Sequence, residues 1–159
     1  MRVLVAGIGN LFCGDDGFGP EVVRRLAASG TLPEEARAVD YGIRGMHLAY
    51  DLLEGYDALV IVDALPGDGD PGTLAVLEVG QGDLGAGAFD PHGMAPVAVL
   101  ASLSDLGGTL PPTYVVGCRP ADLGDGIGLS DEVEAAVPEA MEVVLAVLRE
   151  RLPALDGAG

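Results

Sequence analysis

The sequence contains no tryptophan and no lysine, and in 159 residues it has only two cysteines and two histidines. The cysteines, Cys13 and Cys118, stand far apart and outside any C-x-x-C pattern, which excludes a disulfide framework and a zinc knuckle. A reducing, cytoplasmic setting is the expectation. Positive charge is scarce: Lys and Arg number 8 against 25 Asp and Glu, for a formal net charge of −17. Nucleic-acid binding draws most of its affinity from Lys and Arg on phosphates, so no nucleic-acid partner is expected. The excess of acid serves solubility through self-repulsion, or attracts a basic partner surface. Long apolar runs are also missing. None approaches the roughly 20 residues that span a bilayer, so no membrane partner is expected. The short apolar start, Arg2 to Gly7, soon meets the acidic pair Asp15-Asp16 in place of a small-residue cleavage site, so it does not describe a signal peptide.

What is present is a regular alternation. The segments Arg2 to Ile8, Ala36 to Tyr41, Asp57 to Asp63, Leu74 to Val79 and Thr113 to Cys118 are short, apolar and bounded by Gly, Pro or Asp, and they predict five strands. Pro20 to Leu26 has apolar residues at helical spacing, a proline where a first turn accepts it and Gly30 as a stop. Further helices are predicted over Gly45 to Leu53, Pro96 to Leu106 and from the cap Ser130 onward, the last with Pro138 expected to kink or split it. Strands alternating with helices imply an α/β fold: one twisted, mostly parallel five-stranded sheet with helices on both faces. The link from Ala64 to Gly72 is too short for a crossover helix, so the fourth strand is free to run antiparallel to the third. A chain of this length buries roughly 68–70% of its unfolded surface, enough for one domain. That domain is expected over residues 1–155, with 156–159 a frayed tail and a monomer as the default.

In open α/β sheets a site forms beyond the carboxyl ends of the strands. A dinucleotide fingerprint is tested by Gly7-x-Gly9 and fails: Phe12 stands at the third glycine, and Asp40 lies 31 residues past Gly9 where about 20 is usual. Asp15 and Asp16 would also place negative charge where a pyrophosphate should sit. Acids at a helix N-terminus can simply stabilise its dipole, but glycines at 14, 17 and 19 leave the backbone around Asp16 free to approach a ligand. Asp63 ends an apolar central strand. His47 falls within a helix, where packing or surface roles suffice, whereas His92 lies in the loop Phe89-Asp90-Pro91-His92-Gly93-Met94 and can be presented into a cleft. Asp16, Asp63 and His92 therefore make a candidate site of two carboxylates and an imidazole, suited to nickel, zinc or copper with coordination positions left open. The rival chemistry is a cysteine nucleophile, Cys13 or Cys118, paired with His92.

These residues resemble one family, the nickel-iron hydrogenase maturation endopeptidases. Gly7-Ile8-Gly9-Asn10 with Gly14-Asp15-Asp16-Gly17-Phe18-Gly19 is similar to its opening G-x-G-N and D-[DE]-G-x-G elements. Asp40-Tyr41-Gly42-Ile43-Arg44-Gly45 is similar to its D-x-G-T-x-G turn, with Ile43 and Arg44 in place of small residues. Asp63-Ala64, Pro91-His92-Gly93, Gly117-Cys118-Arg119-Pro120 and Gly128-Leu129-Ser130 follow in the family's order. The resemblance implies an endopeptidase that removes a C-terminal extension from a hydrogenase large-subunit precursor once nickel is inserted. It implies that Asp16, Asp63 and His92 are both the metal-contacting and the catalytic set, Asp16 being a shorter acid than the Glu of some members. Gly7, Gly9, Asn10, Asp15, Gly17, Asp40 and Gly42 would support them. The nickel would be carried by the substrate, and no nucleotide is implied. A non-catalytic nickel-binding metallochaperone using the same residues is the alternative.

Overall fold

The computed structural model describes residues 2–43, 45–79 and 106–150, with only the backbone of residues 45 and 46. Its strands are β1 (Val3–Ile8), β2 (Ala36–Gly42), β3 (Ala58–Ala64), β4 (Leu74–Val79) and β5 (Thr113–Cys118). Its helices are α1 (Phe18–Ser29), α2 (Gly45–Leu52) and α3 (Asp131–Glu150), and a 3-10 turn at Gly14–Gly17 runs straight into α1.

β1, β3 and β5 are buried along their whole length, as strands covered on both faces must be, and this is why they read as unbroken apolar runs. The sheet order is β2-β1-β3-β5-β4. The first four are parallel, while β4 pairs antiparallel with β5, so β4 does oppose β3 in direction but lies beside β5 at the edge. Alternation divides the core. Val3, Val5, Val60 and Val62 pack with Phe18, Val22 and Leu26 of α1 and with Val133, Val137, Val144 and Leu148 of α3. Leu4, Ala6, Leu59 and Ile61 pack with Leu48 and Leu52 of α2 on the opposite face. Each of the Val, Leu, Ile and Phe side chains among them contributes about 1.5–3 kcal/mol by leaving water.

α1 starts two residues before Pro20 and ends at Gly30, whose φ of 72° supplies the left-handed cap. Of the kink or split expected at Pro138, the split does not occur: α3 is one helix of 20 residues with Pro138 inside it. Pro138 removes one backbone bond, at a cost of about 3 kcal/mol. Val133, Val137, Ala140 and Val144 are buried on either side of it and hold both halves against the sheet. The expected helix 96–106 lies outside the described residues except for Leu106, which is in a turn. The tail 156–159 also lies outside the described residues.

Candidate active site

The chain runs from β1 out to β2 and returns across β1 to β3, so the carboxyl ends of β1 and β3 flank the crevice where ligands bind in such sheets. The 3-10 turn and the start of α1 are laid over it. A Cβ on Gly19 would stand 2.1 Å from the Val62 carbonyl oxygen and 2.6 Å from that of Ile8, so only glycine lets the helix approach both strand ends. Gly9 is equally constrained: its φ is +146°, and a Cβ there would stand 1.8 Å from the Asp16 carbonyl oxygen. Gly7 and Gly17 are tight for the same reason, Gly7 against Val23 and Gly19, Gly17 against Leu11.

Asp16 is half-buried on this turn, and its Oδ2 accepts the Asn10 amide at 2.8 Å. Asn10 folds the loop around it, accepting the Phe12 amide on Oδ1 at 2.9 Å and the Cys13 amide on its carbonyl at 3.0 Å. Asp40 is exposed and closes a turn by accepting the Gly42 amide at 2.8 Å. The Gly42 carbonyl in turn accepts the Gly9 amide at 3.0 Å. Asp40 and Gly42 thus brace the end of β1.

Asp63, at the end of β3, is only 5% exposed. Burial, and then the negative charge of Asp16, push its carboxyl well above the usual range, with the Ala64 amide opposing them. Asp16 and Asp63 therefore share one electrostatic site, although they are far apart in sequence, because the turn packs on β3. Next to it, Arg119 donates to the Leu65 carbonyl at 2.6 Å and fixes the chain that leaves Asp63, a role the sequence reading did not foresee. His92 lies outside the described residues. Among the described residues no three of His, Cys, Asp and Glu converge as a metal site. His47 is exposed on α2.

Asp15 has a different task from its neighbour. It is completely buried, and its carboxylate accepts the amides of Ala121 (2.8 Å), Asp122 (2.9 Å) and Ser130 (2.7 Å) and the Ser130 hydroxyl (2.9 Å). Burial pushes its carboxyl up, but the Ser130, Asp122 and Ala121 amides and the Ser130 hydroxyl outweigh this and hold it below the ordinary value. Ser130 precedes α3, so the acid stabilises the N-terminus of a helix 115 residues away and not that of its own. Of the two thiols, that of Cys118 is a poor nucleophile candidate. Cys118 is buried, and burial pushes its pKa up to about 11. Among the described residues no helix is long and apolar enough to cross a membrane.

Residues 20–147 match the model of the hydrogenase maturation protease family. The chain belongs to that family. This maturation protease is 35% identical over 152 residues to the hydrogenase 2 maturation protease of Escherichia coli K12, covering 94% of this chain and 92% of that one. A hydrogenase expression/formation protein of Rhizobium leguminosarum is 32% identical over 151 residues, with 93% of this chain and 74% of that one covered. Its fold matches the solved hydrogenase maturating endopeptidase of Escherichia coli with a TM-score of 0.80 at 34% identity, over 95% of this chain and 94% of that one. The NiFe hydrogenase maturation protease of Thermococcus kodakarensis gives a TM-score of 0.74 at 29% identity, over 92% and 99%. The protein is accordingly a peptidase, with the mixed α/β sheet of its solved relatives.

Proposed function

We propose that this protease removes the C-terminal extension of a nickel-iron hydrogenase large-subunit precursor after nickel insertion, and that Asp16, Asp63 and His92 together recognise the substrate's nickel. The observation that supports this most is the pairing of Asp16 with Asp63. Two carboxylates in one field, one of them held toward its neutral form by burial and then by the other's charge, make a site short of a cation. A dication carried in by the substrate would reverse that opposition and displace the Asp63 proton, so that binding releases a proton. His92 would supply the neutral nitrogen donor.

Metal recognition fixes the precursor relative to the turn, and this positioning lowers the barrier for the peptide bond beside it. A water activated by a carboxylate adds to the scissile carbonyl carbon, backbone N–H groups steady the oxyanion, the C–N bond breaks, and the proton passes to the departing amine. Cleavage would then act as a check that the metal is in place. We place this reaction in the cytoplasm, in keeping with the free thiols of Cys13 and Cys118.

Intact-mass measurement of a precursor incubated with the purified protein tests the reading. A nickel-loaded precursor should lose its extension and a nickel-free one should stay whole. Full-length precursor in both tubes, or equal cleavage in both, would refute it.

A further inference from the structure

The loop that carries Asp16 does not stand alone. Residues 121–128 are all exposed, yet they are stitched to it: the Gly14 amide donates to the Gly126 carbonyl at 2.9 Å, the Gly126 amide to Phe12 at 2.9 Å and the Asp15 amide to Asp122 at 2.8 Å. Cys13 and Gly126 form a parallel bridge. This paired rim holds its large apolar side chains outward. Phe12 is 67% exposed and Ile127 78%, and Leu11 and Leu123 are each 40% exposed. Single exposed apolar residues are ordinary, but four on two hydrogen-bonded loops beside a catalytic candidate form a patch. Leu11 and Ile127 also line a cleft of about 320 Å³ together with Gly14 and Gly17, room for a few side chains.

Charge narrows what can sit there. Arg24 and Arg25 at the end of the cleft are answered by Glu21 and Glu134, so that wall is neutral. The rim itself is acidic, with Asp122 and Asp125 on the same loop, in a chain of net charge −17. An apolar centre inside an acidic border complements an apolar segment bordered by Lys or Arg, which is the anatomy of a protein interface. Because the patch shares its backbone with Asp16, a protein brought to Asp16 has to meet it.

We propose that the Phe12 and Ile127 rim is the docking surface for the precursor protein, seating an apolar segment with basic flanks next to the metal-bearing site. This rests on the proposed function. Preorganisation by the backbone stitches means that docking orders little new chain, so the apolar contacts are retained as affinity.

Steady-state cleavage of nickel-loaded precursor by Phe12→Ser, Ile127→Ser and, as a distant exposed control on the β4 edge, Val76→Ser separates the possibilities. Each rim variant should raise KM about tenfold with kcat retained, the size of one interface anchor, and Val76→Ser should leave both unchanged. Added salt should raise the wild-type KM, and Asp125→Asn should weaken that dependence. Both rim side chains are exposed, so thermal unfolding should match wild type and separate lost docking from lost fold. If wild type cleaves and both rim variants keep a wild-type KM, the docking surface is refuted while the proposed function stands. Equal KM increases in all three serine variants would also refute it. If wild type itself leaves nickel-loaded precursor whole, both readings fall together.

Discussion

Replacing Asp15 by Asn changes one oxygen for an amide in a site where all the partners are donors. Oδ2 accepts three bonds, from Ala121, Asp122 and the Ser130 hydroxyl, and Oδ1 accepts one, from the Ser130 amide. An Asn side chain can keep its oxygen in the first place only by turning its NH2 toward the Ser130 N–H. One charge-assisted bond is then lost, worth about 1.5–3 kcal/mol, and a buried amide is left unpaired, costing about 1–3 kcal/mol more. Asp15→Asn should therefore destabilise by about 2.5–6 kcal/mol, a large share of the stability of a domain this size. The acid is fully buried, so solvent screening does not reduce this figure. The pH dependence has a definite sign. The folded pKa lies below the ordinary value of 3.8, so the contribution is present above that value and is lost as pH falls through the folded one. Urea unfolding followed by circular dichroism, at neutral pH and well below 3.8, should show a gap between wild type and Asp15→Asn that closes in acid. A loss under about 1 kcal/mol at neutral pH, or a gap that persists in acid, would show that the clamp is not electrostatic.

Asp63→Asn should abolish cleavage, yet without metal at neutral pH its urea midpoint should equal or exceed that of wild type. The raised carboxyl favours folding only when protonated, so wild type loses stability as pH climbs from 3.8 toward the folded value, and a midpoint falling below wild type would contradict this. Asp16→Asn and His92→Ala should each stop precursor cleavage while thermal unfolding stays within about 2 kcal/mol of wild type, since each changes a functional group and leaves the buried core intact. Gly19→Ala should destabilise by about 1–3 kcal/mol through its clash with the Val62 and Ile8 carbonyls, measured by thermal melting. Cys118→Ala should keep its turnover at neutral pH, because the thiol is protonated there, and a dead variant that still folds would revive the cysteine mechanism.

All five strands fall within one residue of their predicted bounds; β1, β3 and β5 were legible because buried parallel strands must be continuously apolar, and the half-exposed β2 and β4 because Gly, Pro or Asp bounds them. Turn chemistry was harder to read. α1 begins at Phe18 rather than at Pro20 because the preceding 3-10 turn feeds it directly, which no cap residue announces. Pro138 does not split α3, because local propensity says nothing of the packing that carries the helix through it. Asp16 and Asp63 could be nominated from strand ends. The distinct role of Asp15 could not, because identical side chains one position apart are told apart only by partners more than a hundred residues away. Arg119 was hidden in the same way, since its acceptors are backbone carbonyls with no sequence signature.

X-ray absorption at the nickel edge tests most directly whether Asp16, Asp63 and His92 meet on the substrate's metal. With an uncleavable nickel-loaded precursor, adding the protease should bring oxygen and imidazole nitrogen scatterers to about 2.0–2.2 Å. Asp16→Asn and Asp63→Asn should diminish the oxygen contribution, and His92→Ala should remove the imidazole. A nickel spectrum unchanged by a bound protease would contradict the account.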